Sequence, residues 1–274
     1  MNEPTTLIGI AKASSLHIFA FDFGRYLIAA ALISAIVWLL RKTPWKSRKI
    51  QKREATHADV RREFLASVRT VGVYVVVSIG TIWAIRHGYI AGRDLDYGLW
   101  GNLGMLAAII VAHDAYFYWS HRAMHHPRLF KTFHRFHHRT ITPTPWAAYS
   151  FALPEAVVMA VFMPVWLFLV PTPNVVTFTF LIVMILRNTM GHAGLELHAR
   201  GWASHPLLKW ISTTTHHDLH HAGSFNHNFG FYFTYWDKLM GTEHPDYVAT
   251  YDRVTGRATP ASAPSAATAP SPVL

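Results

Sequence analysis

Between Thr132 and Thr140 the chain reads TFHRFHHRT, with histidines at i, i+3 and i+4. HRAMHH precedes it at His121 to His126, and a near-copy, THHDLHHAG, follows at Thr215 to Gly223. Imidazole suits neither a bilayer core nor an ordinary surface, yet 19 histidines occur among 274 residues. Hydrophobic residues make up 51% and charged residues 15%, few charges for a soluble protein. Cysteine is absent, which excludes disulfides, cysteine-ligated zinc, iron–sulfur clusters and thiol catalysis. The length allows one large domain with a sizeable core.

Outward from the histidines lie apolar runs. Tyr26 to Leu40 and Thr70 to Ile85 flank the basic stretch Arg41 to Arg62, which carries much of the +10 net charge. A span needs about 20 apolar residues, and flanking aromatics extend both runs. They read as two spans near 25–41 and 68–86, joined by a cytoplasmic basic loop under the positive-inside rule. That loop is short, juxtamembrane and poor in stacking aromatics, which argues against nucleic acid. Residues 1–24 are weakly amphipathic and are expected at the interface, with no cleavable signal peptide. A third span starts near Tyr97 and runs into HRAMHH. The block Ala156 to Leu186, read as broken by Pro164 and by Pro171 to Asn174, forms two tilted spans or a re-entrant hairpin. Either way all histidine segments emerge on one side. The fold class expected is all-α: an integral membrane bundle of about four or five transmembrane or re-entrant helices under a cytoplasmic histidine-rich helical cap. Three regions follow: 1–97 with the interfacial segment and two spans, 98–250 with the histidines, and 251–274, an Ala/Pro/Ser tail expected to be disordered. The location expected is a bacterial inner membrane, with the C-terminus cytoplasmic.

On a helix, Asp114, Tyr118, His121 and His125 fall within roughly 60° of one another. The two histidines at i, i+4 can chelate one metal. Asp114 is placed to accept the second N–H of a ligand imidazole and so fix its tautomer. His134, His137 and His138 are expected on one helical face, and His217, His220 and His221 on another. His192 follows in RNTMGHAGLE with Asn188 one turn before it. His113 and His126 lie off the stripe. His17, His57, His87, His198, His205, His227 and His244 read as isolated surface or interfacial residues. Eight or nine imidazoles exceed one tetrahedral site, so two metals are implied. Imidazole suits Zn, Cu, Fe and Ni alike. The Glu-x-x-His pairs of soluble di-iron bundles are missing.

HRAMHH, HRFHH and HHDLHH reproduce the HX3H, HX2HH and HX2HH boxes of the membrane fatty acid hydroxylase superfamily. Pro143 to Phe151 (PTPWAAYSF) and His216 to Thr242, ending W-D-x-x-x-G-T, resemble its sterol C5-desaturase-like branch. The resemblance runs from about Leu99 to Tyr247 and makes 98–250 a hydroxylase/desaturase-like catalytic domain. It implies an oxidoreductase with two iron ions, which zinc can replace on purification, using O2 and no tightly bound organic cofactor. The ligands it implies are His121, His125, His134, His137, His138, His192, His217, His220 and His221. Asp114 and Tyr118 match the family's acid and tyrosine before the first box. His216, and with it His126 and Asn188, are further candidates for contact with the metal or its ligands. Ala152 stands where the branch often has a histidine, which bears on substrate more than on metal. The resemblance also implies hydroxylation or desaturation of a sterol-like or fatty-acyl lipid, with electrons from a separate donor, cytochrome b5-like or a ferredoxin with its reductase. Phe133, Trp146, Tyr149 and Phe151 are the expected substrate-lining residues. The rival readings are a membrane zinc hydrolase, with Glu155, Glu196 or Asp218 as base, and a non-catalytic metal-binding membrane protein.

Overall fold

Helix starts and stops are written into the local sequence. Thr6 caps the first helix, α1 (Leu7–Leu40), its side chain accepting from the Gly9 N–H at 3.1 Å. Thr56 and Asp59 form a reciprocal capping box at α2 (His57–Arg86), which satisfies two otherwise orphaned N–H donors. α3 (Gly98–Met124) follows, then the short α4 (Pro127–Phe133) with proline in its first turn. α5 (Leu153–Leu169) and α6 (Asn174–Gly191) are separated by the Pro171–Pro173 turn. The cap is completed by α7 (Thr214–His221), α8 (Tyr235–Leu239) and α9 (Tyr247–Thr255), with 3-10 turns at Pro44–Arg48, His137–Arg139, Pro145–Tyr149, Trp202–Ser204 and Leu208–Trp210. The computed structural model describes residues 5–91, 95–223 and 225–256. Among these the chain is all-helical, with isolated β-bridges only.

Among the described residues three helices are long and apolar enough to cross a membrane: α1, α2 and α6. α5 is apolar but shorter, and α3, interrupted by Asn102, His113 and Asp114, does not join them. The protein is an integral membrane protein. α1 packs on α2 and α6, α3 on α5 and α6, and α2 on α5.

Several boundaries differ from those expected. Residues 7–24 do not form a separate interfacial segment. No helix breaker separates them from the first span, so α1 runs through as 34 residues. Pro164 does not break α5; the helix passes through it, and the chain reverses at Pro171–Pro173. Residues 251–255, placed in the tail, complete α9, where Tyr251 and Val254 are buried. The rest of the tail, 257–274, lies outside the described residues.

The basic stretch docks on the cap. Ile50 N–H donates to the Gly194 carbonyl, Arg48 to the His198 carbonyl at 2.7 Å, and Gln51 to the Ile141 carbonyl and the Asp218 carboxylate at 2.8 Å each. The basic loop and the histidines therefore share one end of the bundle. The Pro145–Tyr149 turn is the junction between bundle and cap. Its Trp146 carbonyl accepts from Tyr26 Oη (2.9 Å) and Ser67 Oγ (3.0 Å), and Tyr149 stacks on Tyr26 with ring centres 5.5 Å apart.

Candidate metal centre

Nine imidazoles converge at this end, divided between two groups. His121, His125, His134, His138 and His220 form one; His137, His192, His217 and His221 form the other. Within each, one ring nitrogen per residue lies within 4.8 Å of all the others, and every residue is buried. We call them cluster A and cluster B. All nine ligands implied by the resemblance are brought together. His126 and His216 are not. His126 is exposed at the start of α4, where its Nδ1 accepts from the Arg128 N–H. His216 faces Asp237, 3.4 Å away, and the Tyr247 ring.

The second histidine group does not share one helical face. α4 ends at Phe133, so His134 is its C-cap, and His137 and His138 sit on a 3-10 turn. His134 and His138 therefore turn to cluster A and His137 to cluster B. On α7 the i, i+4 pair His217 and His221 serves B, while His220 points to A.

Proton placement follows from the acceptors behind the rings. His121 Nδ1 donates to the Phe229 carbonyl (3.0 Å), His220 Nδ1 to that of His227 (2.7 Å), and His134 Nδ1 to the Glu155 carboxylate (2.6 Å). In cluster B, His137, His192 and His221 donate from Nδ1 to the carbonyls of Ser150 (3.3 Å), Asn188 (2.9 Å) and Thr140 (2.8 Å). A carbonyl only accepts, so each of those protons is on Nδ1 and Nε2 carries a bare lone pair. Yet these Nε2 atoms point at other imidazole nitrogens: His137 to His192 at 3.4 Å, both with bare lone pairs, His121 to His134 at 2.9 Å, His192 to His217 at 3.1 Å and His221 to His217 at 3.2 Å. His220 Nε2 is buried with no hydrogen-bond partner. Converging lone pairs repel unless a cation lies between them. A metal about 2.1 Å from each nitrogen holds neighbouring nitrogens roughly 3.0–3.4 Å apart, which is the spacing seen. The donor set fits two metal ions.

Burial also keeps the rings neutral. It pushes His134, His137, His138, His217, His220 and His221 well below the ordinary imidazole range, and neighbouring imidazoles push further. Burial lowers His192 to about 4. Neutral imidazole is the form that ligates.

Apart from Glu155, the acids near the site do not touch an imidazole of either cluster. Asp114 does not touch an imidazole: its Oδ1 accepts from the backbone N–H of Tyr232 (2.8 Å) and Phe233 (3.2 Å). Tyr118 Oη bonds Thr242 Oγ1 at 2.9 Å, receives Arg122 Nη1 at 3.2 Å, and stacks on Trp236. Both, from α3, tie down the 229–242 loop, whose Phe229 carbonyl orients His121. Asp237 fixes the same loop, accepting from the N–H of Phe229 and Gly230 and from Thr242; a Cβ at Gly230 would collide with the Phe233 carbonyl. Burial pushes the Asp237 carboxyl up to about 6. Glu196 accepts from Thr215 N–H and Oγ1 (2.7 and 2.6 Å) and from His198, pinning the first turn of α7. Burial raises its carboxyl, and the bonds from His198 and Thr215 outweigh that, leaving it below the ordinary range. Asp218 is bonded to Gln51, and burial lifts it to about 7.

The contacts that sequence reasoning missed are Glu155 on His134 and the carbonyls of Phe229 and Thr140. Glu155 left one trace, LPE, a proline and a glutamate placed to open a helix. The carbonyls left none.

A cavity of about 440 Å³ opens between α1, α2, α3, α5 and α6, and the residues at its inner end separate it from the two clusters. At that end lie Phe117, 5.1 Å ring to ring from His121, Phe151, 5.4 Å from His137, and Asn188, whose carbonyl holds His192. Tyr149 and Phe151 line it as expected. Phe133 and Trp146 do not: Phe133 ends α4 on the cap, and Trp146 packs edge-on against Tyr26 and Phe64.

A helical membrane bundle carrying two buried all-histidine clusters beneath an apolar chamber defines a class of metal-binding membrane protein. The chain belongs to the fatty acid hydroxylase family, whose sequence profile matches residues 106–242. It is 35% identical over 149 residues to a Delta(7)-sterol 5(6)-desaturase of Gibberella zeae, covering 54% of this chain and 44% of that one. Against human lathosterol oxidase it is 27% identical, over 67% of this chain and 61% of the relative. Against a methylsterol monooxygenase of Aspergillus fumigatus it is 30% identical, over 79% and 77%. These are names of oxidoreductases, and they place the chain in the sterol desaturase-like branch. The chain thus spans less than two thirds of the length of the first two. No solved structure matches it.

Proposed function

We propose that this protein is a membrane oxidoreductase that binds two iron ions and uses O2 and external electrons to hydroxylate or desaturate a C–H bond of a lipid, sterol-like or fatty-acyl. The observation that carries this reading is the convergence of nine buried imidazoles, in two groups, behind the end wall of an apolar chamber. His121, His125, His134, His138 and His220 hold one iron; His137, His192, His217 and His221 hold the other. When bound, the irons supply the O2-derived oxidising power that an unactivated C–H bond requires.

The chain's own residues do the rest. Phe117 and Phe151 form an apolar end wall that excludes water and brings the lipid up to the clusters. Asn188 fixes His192 through its carbonyl while its side chain ties α6 to the Ala148 carbonyl at 2.6 Å. Glu155 holds the proton on His134 Nδ1. Glu196, bound to Thr215 and His198, shows no open carboxylate of the kind a zinc hydrolase needs as base. Electrons come from a separate donor of cytochrome b5 or ferredoxin type. The basic loop and cap lie on the cytoplasmic side, as the positive-inside rule asks of residues 41–62, and α3 and α5 cross with α1, α2 and α6.

The test is metal content and O2 use of the full chain from iron-supplemented cells. Two irons per chain and lipid-dependent O2 consumption with a chemical reductant are expected. Zinc loading should preserve the stoichiometry and consume no O2. A folded protein with no bound metal overturns the reading.

A further inference from the structure

Two charged side chains stand in the wall of this apolar chamber, on α1. Asp22 and Arg25 are each 7% exposed. Arg25 Nε and Nη2 reach Asp22 Oδ1 at 2.9 and 2.8 Å, and Nη1 donates to the Leu181 carbonyl of α6 at 3.1 Å. The guanidinium also lies against the rings of Phe21 and Tyr149, 5.8 and 5.7 Å from their centres. An ion pair inside a membrane helix is costly, and an apolar pair of the same shape fills the space without that cost. The Leu181 carbonyl is already part of the α6 ladder, so joining α1 to α6 does not call for a charge. Both residues line the chamber.

We propose that Asp22 and Arg25 form the anchor for the hydroxyl group of an uncharged lipid alcohol. This rests on the reading of the chamber as the substrate site. A hydroxyl donates one hydrogen bond and accepts others, and a paired carboxylate and guanidinium offer one of each. A fatty acid anion meets the Asp22 carboxylate as well as Arg25, and a hydrocarbon uses neither. Three other polar groups of the wall are engaged: the Thr81 and Thr177 hydroxyls donate to the Val77 and Pro173 carbonyls of their own helices, and the Asn188 amide to Ala148. The Tyr149 hydroxyl and His113 Nδ1 are buried there without a partner, but only Asp22 and Arg25 set a charged acceptor beside a charged donor. The anchor also sets a distance. Leu181, where Arg25 attaches, is seven residues from Asn188, about 10 Å of helix rise at ~1.5 Å per residue. With the hydroxyl at Arg25, the carbon brought to the clusters lies on the order of 10 Å from it, so oxidation falls far from the alcohol.

The experiment measures equilibrium binding of radiolabelled cholesterol, 5α-cholestane, octadecanol, octadecane and octadecanoate to the full chain in detergent. In at least one skeleton the alcohol should bind about tenfold tighter than its hydrocarbon, and octadecanol should bind tighter than octadecanoate. The double variant Asp22→Leu, Arg25→Met removes both partners together; it should lose the alcohol preference while keeping its bound metal. Equal binding of alcohol and hydrocarbon in both skeletons, tightest binding of the anion, or a preference that survives in a metal-replete double variant overturns the proposal. If the double variant does not fold, the wild-type series decides alone. An alcohol preference in a protein that takes up no iron sinks the oxygenase reading and leaves the anchor standing; iron and O2 use without that preference does the reverse.

Discussion

Cluster A draws five imidazoles from α3, the 134–138 segment and α7; cluster B draws four from His137, the end of α6 and α7. They differ most in what stands behind them. The Nδ1 partners of B are backbone carbonyls: Ser150, Asn188 and Thr140. A has carbonyls behind His121 and His220 but a buried carboxylate, Glu155, behind His134. A carboxylate raises the basicity of the ring it holds more than a carbonyl does. Metals bound there would face unequal fields: A with more ligands and a carboxyl group behind one of them, B with fewer ligands and backbone carbonyls behind three of its four. The clusters are also interlocked. Each i, i+4 pair (121 with 125, 134 with 138, 217 with 221) serves one cluster, while the remaining histidine of each later box crosses over, His137 to B and His220 to A. Adjacent residues on one turn thus point to different clusters.

The largest expected effect breaks the comparison outright. His217→Ala with His221→Ala removes half of B; His121→Ala with His125→Ala removes two of five in A. Each double variant should lower iron from two to one per chain and abolish lipid-dependent O2 use, read by elemental analysis and an oxygen electrode. Loss of both irons in either variant would mean that the crossed ligands make the clusters one cooperative unit. Retention of two irons in both would remove the division into A and B.

This division shows what the sequence could reveal. Eight of the nine histidines stood out by spacing, because intervals of three and four residues between imidazoles are rare outside metal sites; His192, alone in RNTMGHAGLE, joined them through the family resemblance. The bundle was legible too, since hydropathy reports burial in lipid directly. Which histidine serves which cluster was not. Spacing on an assumed helix put His134, His137 and His138 on one face, but α4 ends at Phe133 and a 3-10 turn follows. The role expected of Asp114 failed for a related reason. A carboxylate one to two turns from a ligand can reach an imidazole, yet the 231–233 backbone, more than a hundred residues later, arrives first with two N–H donors. Such long-range partners leave no local pattern. The continuity of α1 was open to reading, for nothing between Ser15 and Gly24 stops a helix, and Gly24 alone is tolerated.

A smaller effect sharpens the asymmetry. Glu155→Gln keeps an oxygen able to accept from His134 Nδ1 and removes the negative charge. Ligand-orienting partners of this kind are worth roughly 10- to 100-fold in metal affinity or activity. The expected outcome is faster loss of one iron to a chelator, with the second released at the wild-type rate, and an altered Mössbauer signature for one iron of the two. Equal acceleration of both irons would mean that the charge acts on the pair as a whole. Release rates unchanged for both would leave Glu155 as a helix-capping residue, bonded to the Ala152 N–H at 3.4 Å.

The smallest effect concerns Tyr118, which lies on the same stripe of α3 as His121 but reaches the scaffold instead of the metals. Phe at this position keeps the stack on Trp236, with ring centres 5.9 Å apart, and removes only the hydroxyl. Thr242 still donates to Asp237 at 2.7 Å, and Arg122, part-exposed, can turn to water. The loss is one hydrogen bond, about 0.5–1.5 kcal/mol. Tyr118→Phe should therefore lower the melting temperature by a few degrees at most, hold two irons and turn over at close to the wild-type rate. If turnover instead fell about tenfold at unchanged iron content and unchanged melting, the phenol would belong to the reaction. The loop from Phe229 to Thr242 would then act on cluster A through a proton as well as through the Phe229 carbonyl.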